Sequence, residues 1–178
     1  MAANTTSAVA KAARVLLMGF DVDGVLTDGT LYFSAQGDEM KAFSSLDGHG
    51  LKMLQRAGVE VAIISGRSSR ALELRAANLG VDELHMSVED KRTLLAGLAR
   101  QRGIELAQTG YMGDDVVDLP VLRASGFSAT VADGHGEVLA RVDYVASKGG
   151  GHGAVREVCD LIIRAQGKWD AAMAEYLA

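Results

Sequence analysis

The sequence predicts an α/β fold: a Rossmann-like, doubly wound, mostly parallel sheet with helices on both faces and a β-hairpin flap. Three observations carry that expectation. Short apolar runs alternate with helix-length amphipathic stretches along almost the whole chain. Runs such as Val61-Ala62-Ile63-Ile64 are continuously apolar, the pattern of strands covered on both faces. The 178 residues suit one domain with a single sizeable core.

Taken in order, residues 1–13 are rich in Ala, Thr and Ser without a continuous apolar stretch, so they read as a disordered lead-in rather than a signal peptide. Residues 14–166 form the single domain. Its first strand is Val15-Leu16-Leu17-Met18, and it delivers Asp21 and Asp23 to a Gly-rich turn at its carboxyl end. Residues 30–33 and 40–43 flank a glycine-containing loop, the mark of a hairpin. Asp47 resembles the N-cap of a helix that points Leu51 and Leu54 inward and stops at Gly58. Strands follow at 59–64, 84–86, 109–112, 127–131 and 144–146, with helices at 68–79, 88–102, 116–124, 136–140 and 154–165 between and after them. Residues 167–178 are a tail with an apolar stripe of Trp169, Met173 and either Tyr176 or Leu177. Such a short amphipathic segment needs cover, either from its own domain or from a neighbouring subunit.

Composition narrows the function. A net charge of -5 offers no basic footprint for nucleic acid, and no stretch approaches the roughly 18 apolar residues of a membrane span. The lone Cys159 excludes an intramolecular disulfide and points to a reducing compartment, so cytoplasm is the expected location.

Four points at strand ends or helix starts have complementary chemistry. Asp21 and Asp23 repel one another at close range, a cost met by a cation or a retained proton; by itself, Asp-Val-Asp-Gly also suits a surface Asx turn or a calcium loop. Ser65-Gly66-Arg67 offers a hydroxyl and backbone N–H groups to phosphate oxygens. Lys91 offers a point charge. Gly113-Asp114-Asp115-Val116-Val117-Asp118 offers carboxylates to a hard cation such as Mg2+. Each has a bland reading alone: a common turn, an exposed lysine, a solvated acidic run.

Together and in this order they resemble the four motifs of the haloacid dehalogenase superfamily of phosphatases, over nearly the whole chain from Arg14 to Gly167. The resemblance implies that Asp21 is the nucleophile and Asp23 the general acid, then base. It implies that Ser65 and Lys91 hold the phosphoryl oxygens, and that Mg2+ is bound by Asp21, the backbone carbonyl of Asp23 and Asp114. Asp118 would orient Lys91, with Asp115 in support.

Many members of that superfamily carry a cap domain. Here the intervals from Asp23 to Ser65 and from Ser65 to Lys91 each hold too few residues for one, against a domain minimum of about 50 residues. The site is expected to be capless, walled by the hairpin and another subunit or open to a macromolecule. Gly19 to Gly29, Ile64-Ser65-Gly66-Arg67 and Gly150-Gly151-His152-Gly153-Ala154-Val155-Arg156-Glu157 are similar to the 3-deoxy-D-manno-octulosonate 8-phosphate phosphatases, capless tetramers of lipopolysaccharide sugar synthesis. His152 departs from the arginine of many members. The resemblance implies a phosphorylated α-keto sugar acid as substrate, a homotetramer, and a substrate-side place for Thr27. Arg67 suits the substrate carboxylate, since a guanidinium fork grips one, although a solvent-facing helix-start arginine reads equally well. The glycine run from Gly149 to Gly153 reads as flexible backbone that lets the tail reach across. His49, His85 and His135 lack metal-ligand spacing. Two other readings stand beside this one: a nonulosonate 9-phosphate phosphatase, and a receiver-like phospho-signalling module, for which Asp23 has no use.

Overall fold

The computed structural model describes residues 2–178, with side chains from Thr6 onward. Six parallel strands make the central sheet: β1 (Leu17–Phe20), β4 (Glu60–Ile64), β5 (Glu83–His85), β6 (Thr109–Met112), β7 (Phe127–Thr130) and β8 (Tyr144–Val145). A separate antiparallel pair, β2 (Tyr32–Phe33) and β3 (Glu39–Met40), is the hairpin. The main sheet runs β5-β4-β1-β6-β7-β8, so the direction of winding reverses between β1 and β6. That reversal opens a crevice at the carboxyl ends of these two strands, where a doubly wound sheet takes its ligand.

Side-chain alternation splits the core into two layers. Met18, Phe20, Val61, Ile63 and Met112 face α2 (Ser45–Arg56), α3 (Arg70–Leu79) and α7 (Ala154–Ala165). Leu17, Ala62, Ile64 and Tyr111 face α4 (Lys91–Gln101), α5 (Leu119–Ala124) and α6 (Gly136–Leu139). The doubly wound reading therefore holds, and every strand of the main sheet is parallel.

Three expectations change. The expected disordered lead-in, residues 1–13, falls on a helix where it is described: Ala2–Ala12 is α1, whose Ala8 and Ala12 are buried in the α7 layer, while Met1 lies outside the described residues. Small side chains allow that close approach, and alanine is the best helix former. Asp47 is not an N-cap, because Ser44 caps α2 by accepting from the Asp47 N–H. The buried Asp47 carboxylate instead accepts from Gly153 N at 3.1 Å and Arg156 N at 2.8 Å, serving the start of α7. The glycine run is packed rather than free: a Cβ at Gly150 would lie 2.0 Å from the Gly24 carbonyl oxygen, and Gly151 N bonds to Val25 O at 3.0 Å.

The tail is a helix, α8 (Trp169–Leu177), lying on its own domain. Trp169, Ala172 and Met173 pack against the α7 layer, Arg164 stacks on the Trp169 ring at 3.4 Å, and Arg56 pairs with Glu175 at 2.7 Å. The stripe expected from the sequence thus finds cover in cis, except that Tyr176 and Leu177 stay exposed.

Candidate active site

Asp21 follows β1 directly, and its N–H bonds to Met112 O of β6, which fixes its place in the crevice. The chain then turns through Val22, whose carbonyl accepts from Val25, Leu26 and Thr27 N–H groups. Gly24 has φ +88°, and a Cβ there would lie 2.1 Å from Asp114 Oδ2, so only glycine lets the turn press against the acid at the end of β6.

Lys91 is the first residue of α4 because Asp90 caps that helix, accepting from Thr93 N at 2.9 Å. Its buried ammonium lies 2.9 Å from Asp21 Oδ1 and 2.7 Å from Asp118 Oδ1. Asp118 is fully buried and also accepts from Asp114 N at 3.2 Å, so both its oxygens are committed. Ser65 follows β4; its hydroxyl accepts from Arg67 N at 3.1 Å, leaving the O–H proton as a donor. Asp21, Asp23, Ser65, Arg67, Lys91, Asp114 and Asp115 all line one cavity of about 470 Å3.

Carboxylate oxygens of Asp21, Asp114 and Asp118 lie within 4.8 Å of one another. Three acids share one ammonium, so charge is short. Burial, then Asp118, pushes the Asp21 carboxyl up to about 8. Burial, then Asp118 and Asp115, pushes Asp114 up to about 7. A hard divalent cation suits this deficit, and with Asp118 committed the free oxygens belong to Asp21 and Asp114. Asp115 instead turns to its own chain, accepting from Val116 N at 2.7 Å.

A pH prediction follows. A carboxyl whose folded pKa is raised binds more protons in the folded state than unfolded, so stability falls as pH climbs from about 4 towards 8. The metal-free protein is expected to melt at a lower temperature at pH 8 than at pH 5.5, and saturating MgCl2 to shrink the gap. Scanning calorimetry at the two pH values, once with a chelator and once with saturating MgCl2, checks both; a higher melting temperature at pH 8 without metal contradicts the assignment.

Of the residues singled out in the sequence, the structure does not bring Thr27 into this cavity. Its buried hydroxyl donates to Val22 O at 3.3 Å and accepts from Gly29 N at 3.2 Å and Gly24 N at 3.4 Å, knitting the turn shut from within. Arg67 does reach the site and stays 44% exposed at its side chain. Two residues went unnoticed in the sequence. Lys41, just past β3, pairs with Asp23, and its side chain is only 2% exposed. Glu39 lies 2.9 Å from Lys41 and 3.0 Å from Arg67. The signal was the i, i+2 spacing of Glu39 and Lys41, which puts both on one side of the hairpin strand.

No protein-family model matches the chain. It is 43% identical to the 3-deoxy-D-manno-octulosonate 8-phosphate phosphatase of Escherichia coli K12 over 164 residues, 92% of this chain and 87% of that protein. The crystal structure of the 3-deoxy-D-manno-octulosonate 8-phosphate phosphatase of Moraxella catarrhalis, in complex with magnesium, phosphate and KDO, superposes with a TM-score of 0.92 at 43% identity. It covers 94% of this chain and 97% of that one. A probable YrbI family phosphatase of Pseudomonas syringae gives a TM-score of 0.95 at 43% identity, covering 97% and 98% of the two chains.

Proposed function

Because the chain belongs to the 3-deoxy-D-manno-octulosonate 8-phosphate phosphatase family of the haloacid dehalogenase superfamily, we propose that it hydrolyses that eight-carbon phosphosugar acid with Mg2+, in lipopolysaccharide sugar biosynthesis. The observation that carries the chemistry is the Lys91 ammonium held between Asp21 and Asp118 at the mouth of the crevice.

Asp21 attacks phosphorus through a carboxylate oxygen, and the bond to the sugar oxygen breaks as Asp23 gives that oxygen a proton. Asp23 then takes a proton from the water that attacks the aspartyl-phosphate, releasing inorganic phosphate and restoring Asp21. Lys91 and the Ser65 hydroxyl hold the phosphoryl oxygens, and Asp118 keeps Lys91 aimed. Asp21, Asp114 and the backbone carbonyl of Asp23 would hold Mg2+, which would supply positive charge against the anionic phosphoryl group. Arg67 grips the carboxylate of the α-keto acid with its fork.

The hairpin supports assembly with copies of the same chain, a homotetramer by family likeness. Leu31, Tyr32, Phe33 and Met40 are 40%, 44%, 60% and 63% exposed. That apolar patch beside the crevice needs cover. Among the described residues no helix is long and apolar enough to cross a membrane. The single buried Cys159 suits a cytoplasmic enzyme.

The test compares phosphate release from 3-deoxy-D-manno-octulosonate 8-phosphate with release from a nonulosonate 9-phosphate at matched concentrations in MgCl2. Preference for the eight-carbon substrate is expected. Equal or faster turnover of the nine-carbon one moves the assignment to its alternative, and no release from either rejects the phosphosugar reading.

A further inference from the structure

Four charged groups close a ring over the crevice. Lys41 touches Asp23 and lies 2.9 Å from Glu39; Glu39 lies 3.0 Å from Arg67 Nη2; Arg67 Nε lies 3.7 Å from Asp23 Oδ2. Signs alternate round the ring, two cations against two anions. The members come from three places: Glu39 and Lys41 from the hairpin return, Asp23 from the turn after β1, and Arg67 from the turn after β4. Lys41 is the nearly buried hub, while Arg67 is the most exposed member.

Arg67 therefore already has a carboxylate on its guanidinium. Lys41 first, and then Arg67, hold the Glu39 carboxyl below its usual range, so that occupant is anionic. An incoming α-keto acid brings a carboxylate of the same charge and geometry to the same fork. Two carboxylates do not share one guanidinium edge without repulsion, so one has to yield.

We infer that Glu39 is a specificity-determining residue: an internal stand-in for the substrate carboxylate, which a carboxylated phosphosugar displaces from Arg67 and a neutral-tailed phosphomonoester leaves in place. Displacement does not require the hairpin to unfold. Glu39 Oε1 keeps its contact with Lys41 while Oε2 gives up Arg67. A neutral sugar phosphate binds through Asp21, Ser65 and Lys91 and meets the ring only at Asp23, so the Arg67–Glu39 pair stays in place. The stand-in thus weakens binding only for ligands that use Arg67, and it keeps the guanidinium placed until such a ligand arrives. The inference rests on the proposed function, specifically on Arg67 as the carboxylate grip.

The experiment measures KM and kcat of wild type, Glu39→Gln and Arg67→Met. The substrates are 3-deoxy-D-manno-octulosonate 8-phosphate and a hexose 6-phosphate, which has no carboxylate. Glutamine is isosteric and keeps a hydrogen bond to the guanidinium while removing the competing charge. For a partly exposed pair, KM of Glu39→Gln for the carboxylated substrate is expected to fall about three- to fivefold. Its KM for the hexose phosphate stays within about 1.5-fold of wild type, and so does kcat for both. An unchanged or raised KM for the carboxylated substrate overturns the inference, as does an equal change for both substrates, which marks a general effect on the hairpin. Arg67→Met separates the two layers. A raised KM for the carboxylated substrate alone supports Arg67 as the grip whatever Glu39 does; no change removes the grip and the stand-in together.

Discussion

Asp21→Asn abolishes phosphate release, by roughly four orders of magnitude or more, because an amide oxygen is too weak a nucleophile to take the phosphoryl group. The same change raises the melting temperature of the metal-free protein. Burial and the neighbouring Asp118 oppose ionisation of Asp21, so the folded chain gains when that charge is removed. The gain is larger at pH 8 than at pH 5.5, since at the lower pH the wild-type carboxyl already carries a proton. Phosphate release in MgCl2 and calorimetry in chelator make the check. Activity above about one hundredth of wild type would remove Asp21 from the nucleophile's place.

Lys91→Met has the second large effect, and it runs the other way on stability. The methionine fills the methylene channel but leaves Asp21 and Asp118 facing each other without the ammonium that lies within 3 Å of both. Removing one partner of a buried charge cluster costs about 3–5 kcal/mol. Turnover falls roughly a hundred- to a thousandfold, the usual cost of one preorganised electrostatic contact to a developing charge. Asp118→Asn on the Lys91→Met background restores part of the stability and none of the turnover. Urea denaturation of the two variants and their double mutant gives the coupling directly. Additive stability changes would mean that the three groups do not act as one unit.

These two effects rest on residues visible in the sequence, and the reason is physical. Asp21, Ser65, Lys91 and Asp114 each follow a strand or open a helix, so a local signal, an apolar run giving way to an acid, a hydroxyl or glycine, marks each one. The sheet then brings them together without further instruction. What stayed hidden depends on contacts between distant stretches. The Asp47 carboxylate meets Gly153 N across 106 positions of sequence, and nothing beside Asp47 announces that helix. Lys41 becomes an active-site residue only because the hairpin folds back over Asp23. Thr27 shows the opposite case: its neighbours match a family motif, while in the structure its hydroxyl is spent on closing the turn. Between residues 2 and 13 the one large apolar side chain, Val9, is exposed, so no apolar stripe advertises a packed helix, and Ala8 and Ala12 do that packing instead.

The order of strands also dictates when this catalyst comes into being. Leu17 of β1 pairs with Glu60 on one side and with Thr109 on the other, so the first strand made keeps an open edge until β6 is made. A ribosome that has released the chain only as far as β5 has exposed a strand with one open edge and no Asp114 or Asp118. Such non-local pairing slows folding and leaves that edge available to other chains. Once β6 has paired, a ligand that binds only the finished crevice pulls the equilibrium towards the folded form. Mg2+ supplied during refolding is therefore expected to raise the yield of active enzyme more than the same ion added afterwards.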